Sequence, residues 1–191
     1  MAVSLAKGGN VSLSKEAPGL SRIMVGLGWD AQAADDSDFD LDAVAFLLGS
    51  GGKVRGDLDF IYYGNKVAPD GSVTHTGDNL TGAGDGDDES ILIELQRLGA
   101  DVDRIAVCVT IHEAENRRQN FGMVRNAFIR IVDSSNEREI ARFDLSEDAG
   151  THAAMIFGEI YRHGGEWKFR ALGQSLGGGL AELARSYGVA T

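Results

Sequence analysis

The chain is poor in cysteine and proline, with one of the first and two of the second in 191 residues. Cys108 can form no internal disulfide. Its place in the apolar run 105–111 marks a small core residue in a reducing compartment, so a cytoplasmic location is expected. No apolar run approaches the ~20 residues of a membrane-spanning helix, and no charged-then-apolar leader is read at the start. Apolar residues nevertheless make up 43% of the chain, too many for a disordered one. The length suits one domain with a real core, expected to cover residues 1–191.

Base is missing from two places that are rich in acid. Residues 35–42 hold five aspartates and no Lys or Arg, and residues 78–89 hold five carboxylates and again no base. These ten account for most of the net charge of −11. The remaining 19 acids face 18 bases, so the rest of the chain is close to neutral. A general acidic surface would spread its charge. Direct nucleic-acid binding is also disfavoured, because phosphate recognition needs concentrated Lys and Arg.

Carboxylates crowded in this way repel one another unless a cation lies between them. The segment 75–89, His75-Thr76-Gly77-Asp78-Asn79-Leu80-Thr81-Gly82-Ala83-Gly84-Asp85-Gly86-Asp87-Asp88-Glu89, adds an amide and four glycines, whose backbone can turn tightly and point carbonyls inward. Oxygen ligands on a loop that can wrap suit a hard cation, Ca2+ first. A solvated acidic turn is the competing explanation for this stretch alone. The other stretch favours the cation. Asp38, Asp40 and Asp42 alternate with Phe39, Leu41 and Ala43, which in a strand sets three carboxylates on one face. Aspartate is disfavoured in strands, so three in register need a reason.

Apolar patterning predicts many short strands. They fall at 3–5, 11–13, 22–29, 42–48, 59–63, 72–75, 89–95, 104–112, 126–132, 138–145, 155–163 and 166–172. Turns such as Pro69-Asp70-Gly71 separate them. The β-branched run 104–112 is expected to be central, and the last two pairs of strands are expected to be hairpins. Helix spacing is seen over 180–187, with one polar helical turn over 113–119. The fold expected is mainly β, a sandwich of two mostly antiparallel sheets with a few short helices, one near the C-terminus.

Known site motifs do not account for the acidic stretches. Read from Asp38 or Asp85, an EF-hand loop lacks its glycine and its final glutamate. Gly77 and Gly82 have phosphate-loop spacing without the Lys-Ser/Thr that must follow. His75, His112, His152 and His163 show no ligand spacing and are read as ordinary polar residues.

Several blocks together resemble the TerD family of tellurium-resistance and stress proteins. They are Gly28-Trp29-Asp30, Asp38 to Ala43, the loop 75–89, Asn120-Phe121-Gly122, Phe128 to Val132, Arg142 to Asp148 and Gly165 to Arg170. The resemblance runs from about Val3 to Val189. It implies a calcium-binding β-sandwich with its ions between two acidic loops. It also implies partners among other tellurium-resistance proteins and a TerC-like membrane protein, with peripheral placement at the inner face of the membrane. The chain departs from the family pattern at Gly82-Ala83-Gly84, where Gly-Glu-Gly is common, and at Thr151-His152-Ala153 and Gln174 to Gly177. The main ligand set is intact: Asp38, Asp40, Asp42, Asp78, Asn79, Asp85, Asp87, Asp88 and Glu89.

These residues are read as a module for about two Ca2+ ions, used for structure or switching and without catalysis. Each ion takes ~6–8 oxygens, which the nine residues supply with bidentate use, backbone carbonyls and water. Phe39 and Gly84 belong to the same metal set. Asp30 and Glu113, each ending a core strand, are candidates to close it. Two alternatives remain. A divalent-metal phosphoesterase could use the same carboxylates, although no His, Lys or Arg lies within either stretch to assist. A calcium-dependent membrane-surface adaptor would be supported by an exposed Phe or Trp at a loop tip, and Trp29 is the nearby Trp.

Overall fold

In a computed structural model, residues 2–30, 39–77, 86–145 and 150–190 are described. They form two six-stranded sheets. The strands are β1 (Val3–Ser4), β2 (Asn10–Ser12), β3 (Arg22–Gly28), β4 (Leu41–Leu48), β5 (Phe60–Ile61), β6 (Val73–His75), β7 (Glu89–Glu94), β8 (Arg104–Ile111), β9 (Phe128–Asp133), β10 (Arg138–Asp144), β11 (Ala154–His163) and β12 (Glu166–Leu176). Short helices occupy α1 (Leu13–Glu16), α2 (Ala114–Arg117) and α3 (Leu180–Ser186). One sheet has the order β1-β10-β9-β3-β7-β6 and the other β2-β12-β11-β8-β4-β5. All pairings are antiparallel except β1 with β10.

The predicted sandwich is therefore the observed one, and β8 lies well inside its sheet, between β11 and β4. Both expected hairpins form, β9 with β10 and β11 with β12. Three details go beyond the apolar pattern. The region 59–63 yields only the two-residue β5, preceded by a 3-10 turn at Asp57–Asp59 whose Asp59 carboxylate accepts from the Arg55 guanidinium. The two N-terminal pieces go to different sheets, so the chain crosses the sandwich at its edge between β1 and β2. Leu13 leaves β2 and opens α1, whose Ser12 cap accepts from the Lys15 amide.

Alternation explains the layers. Leu41, Ala43, Ala45 and Leu47 of β4 face the inter-sheet core, together with Ile105, Val107, Val109 and Ile111 of β8. The other face of β4, Val44, Phe46 and Leu48, would be exposed in a bare sandwich. Here α3 covers it with Leu183 and Ala184, followed by Tyr187, forming a second apolar layer. A strand buried on both faces reads as a continuous apolar run, as 43–48 does. Phe46 is stacked on Phe60 at 4.8 Å and packs against Tyr187 at 4.5 Å, ring centre to ring centre.

Cys108 is a core residue as expected, but of this outer layer. It is fully buried, and burial pushes its thiol well above the ordinary range. The thiolate is the reactive form. The native protein should therefore leave a disulfide reagent such as dithiobis(nitrobenzoate) unreacted at neutral pH, and release one equivalent of chromophore on denaturation. Prompt reaction of native protein would show α3 lifting away.

The registers gather one set of strand ends. Leu27 faces Glu89, Gly28 faces Phe128, Leu41 faces Ile111, and Thr110 faces both Asp42 and Ala154. Residues 39–42 and 86–89, the described parts of the two acidic segments, lie at this end.

Candidate functional site

Two hydrogen bonds cross between the sheets at this end. Glu89 starts β7 and points inward like Ile91 and Ile93. Its Oε2 accepts from the backbone N–H of Ala43, on β4 of the opposite sheet, at 2.5 Å. The Trp29 indole N–H, just after β3, donates to the Phe39 carbonyl at 3.2 Å. Residues 39–43 and 86–89 are therefore neighbours, although more than 40 positions separate them in sequence.

Glu89 also lies 3.5 Å from Nε2 of His75, and both side chains are shut off from solvent. His75 is more than the ordinary polar residue expected. It ends β6, from which the acidic loop departs, so the loop leaves beside Glu89 and returns at Glu89. Its position as the last residue before Thr76-Gly77 was the available signal.

The described acids of the second segment are held on three sides. Asp88 donates its amide to the Leu27 carbonyl at 2.8 Å, and its carboxylate accepts from the Trp29 amide at 3.0 Å. Burial above all, with help from the Asp87 charge, pushes the Asp88 carboxyl above its ordinary value, while the Trp29 amide pulls it back. Asp87 turns outward across β3 and meets Arg130 of β9, with Nε and a terminal nitrogen on its two oxygens at 2.8 and 3.0 Å. A third guanidinium nitrogen reaches Glu139 at 3.2 Å.

In the first segment Asp40 and Asp42 are only 5% and 4% exposed, which is rare for aspartates. Asp42 shares the outer face of β4 with Val44 and Phe46 and lies beside Thr110. His112 Nδ1 is 3.6 Å from its carboxylate, and the His112 amide donates to the Asp40 carbonyl at 2.8 Å. Asp42 opens onto a cleft of about 850 Å3 lined also by Tyr63, His112, Glu113, Arg118 and His152.

The two added candidates lie at the same end with partners of their own. Asp30 is exposed, accepts from Asn126 Nδ2 at 2.5 Å and donates its amide to the Arg125 carbonyl. Glu113 is exposed at the start of α2, with φ of 50°, and lies 3.9 Å from Arg117. Phe39 and Trp29 are buried, so neither is the exposed aromatic that a membrane-surface adaptor would use. Asp38, Asp78, Asn79, Gly84 and Asp85 lie outside the described residues. Among the described residues no three of His, Cys, Asp and Glu gather as a metal group. No described helix is long and apolar enough to cross a membrane.

A two-sheet sandwich that brings residues 39–43 beside 86–89 at one end frames the comparison with known proteins. Residues 1–187 match the TerD domain, and the chain belongs to the TerD family. It is 62% identical over 189 residues to the tellurium resistance protein TerD of Serratia marcescens, covering 99% of this chain and 98% of that one. It is 52% identical to general stress protein 16U of Bacillus subtilis (strain 168), over 99% and 98%. The crystal structure of a homologue of telluride resistance protein (TerD) from Streptomyces coelicolor A3(2) superposes with a TM-score of 0.72 at 27% identity, covering 87% of this chain and 96% of that one. The chain is thus a TerD-family tellurium resistance or stress protein.

Proposed function

We propose that the protein is a non-catalytic calcium-binding module whose cation joins the segments 35–42 and 78–89. The observation that carries this reading is the Glu89 to Ala43 hydrogen bond, which sets the flank of one acidic segment against the other. The donor chemistry fits a hard cation: Asp40 and Asp42 of the first segment and Asp88 and Glu89 of the second all offer oxygen, and Asp40, Asp42 and Glu89 are buried. Asp38, Asp78, Asn79, Asp85 and the carbonyl of Gly84 complete the set. When bound, the cation supplies positive charge that offsets repulsion between the segments. The chain supplies the rigid frame, through Trp29, Phe39 and Ala43. Partners would be other tellurium-resistance proteins and a TerC-like membrane protein, in keeping with the family, and the location cytoplasmic.

Calorimetric titration of chelated protein tests the proposal. Ca2+ is expected to bind at about two equivalents, with Mg2+ weaker because it demands a tighter octahedron and gives up water reluctantly. Asp42→Asn should weaken binding by removing a buried carboxylate. Absence of binding heat at millimolar calcium would end this reading.

One observation favours a second reading, a divalent-metal phosphoesterase. The fold brings His112 beside Asp42, with Arg118 in the same cleft, although neither lies within an acidic stretch. These are the general-acid and charge-stabilising groups such chemistry uses. Turnover of bis(p-nitrophenyl) phosphate with Mn2+, lost in His112→Ala, would favour it over the binding module.

A further inference from the structure

The segment 86–89 is held by groups that have nothing to do with a cation. Its three acids point three ways, Asp87 outward to Arg130, Asp88 to the Trp29 amide and Glu89 inward to Ala43 and His75. The outward contact is the most specialised. Arg130 and Gly26 are cross-strand partners, and the Asp87 carboxylate lies over Gly26 to reach Arg130. A Cβ on residue 26 would fall 2.3 Å from the Asp87 carboxyl carbon, far inside contact distance. Only glycine leaves that channel open. The carboxylate is 9% exposed and takes the guanidinium through two parallel bonds, the geometry that adds direction to charge. Glu139 holds a third guanidinium nitrogen from β10, so the fork is braced from behind.

We propose that Asp87 is a latch, with Arg130 and Gly26 as positioning residues, and that it is no ligand of the cation. Both Asp87 oxygens are engaged by Arg130, and a cation approaching them would meet a fixed positive charge. The latch holds the returning limb against β3 before any cation arrives, so Asp88 and Glu89 are already placed. Preorganised ligands lose less freedom on binding. This inference rests on the calcium reading for its consequence and on the geometry alone for the latch.

The test combines calcium titration with amide exchange in chelator, on the full chain. Arg130→Met and Asp87→Asn are each expected to weaken calcium affinity by about tenfold, the lower range for an outer-sphere partner. The double variant should be no weaker than either, because both changes remove one interaction. Stoichiometry should stay unchanged. Arg130→Lys, which keeps charge but not the fork, should recover part of the loss. A ligand role for Asp87 would appear as Asp87→Asn losing a binding equivalent while Arg130→Met keeps or gains affinity, and would overturn the latch. If the unmodified protein binds no calcium, the proposed function fails and the latch is judged by exchange. In chelator, Arg130→Met should speed exchange of the Trp29 and Asp88 amides by about tenfold through local opening. Unchanged exchange would overturn it.

Discussion

Calcium added to chelated protein is expected to raise the melting temperature by about 8–16 °C. A ligand that binds only the native state stabilises by RT ln(1 + [L]/Kd), about 4 kcal/mol at 1,000 times Kd. A kilocalorie moves the midpoint of a domain of this size by about 2–4 °C. Repulsion sets the direction. Asp40 and Asp42 are buried, and Asp88 is desolvated beside Asp87. Unfolding returns all of them to water, so the bound ion favours only the folded state. Asp42→Asn combined with Asp78→Asn should remove most of the shift, because each segment then loses a carboxylate. Superimposable melts with calcium and with chelator would exclude tight structural binding at any calcium level tested.

Glu89→Ala should destabilise the chelated protein by about 3–5 kcal/mol, the combined cost of a buried amide left without its acceptor and of the void left by the side chain. The midpoint would fall by about 6–20 °C. Glu89 is the acceptor for the buried Ala43 amide and lies beside the buried His75. Alanine leaves that amide without its acceptor and opens a void between the sheets. Glu89→Gln keeps a carbonyl oxygen that can accept from Ala43, so its loss should be less than half as large. The comparison, by denaturant titration in excess chelator, separates the hydrogen bond from the charge and is independent of metal. If Glu89→Ala cost under about 1 kcal/mol, within the range of an ordinary surface change, Glu89 would not be what joins the segments.

Much of the frame could be read from local pattern. β8 was legible because Ile105, Val107, Val109 and Ile111 alternate with small residues, which is what a strand between two layers needs. The helix over 180–187 was legible from its spacing, and α3 covers Leu180–Ser186. By contrast, 59–63 looked like a full strand because Phe60, Ile61, Tyr62 and Tyr63 favour strands. Only Phe60 and Ile61 pair with β4. Tyr62 instead exchanges backbone bonds with Asn65 and turns the chain. Propensity cannot show where a neighbouring strand stops offering partners.

The acidic stretches themselves, their crowding and their want of local base are matters of covalent order, since charge along a chain needs no fold to be counted. Which groups answer those charges was decided by strand pairing. Arg130 is 43 residues from Asp87 and meets it only because β9 lies beside β3 and Gly26 leaves room between them. His112 meets Asp42, and Ala43 meets Glu89, for the same kind of reason. Electrostatic interaction depends on distance through space, and that distance is set by which strands become neighbours.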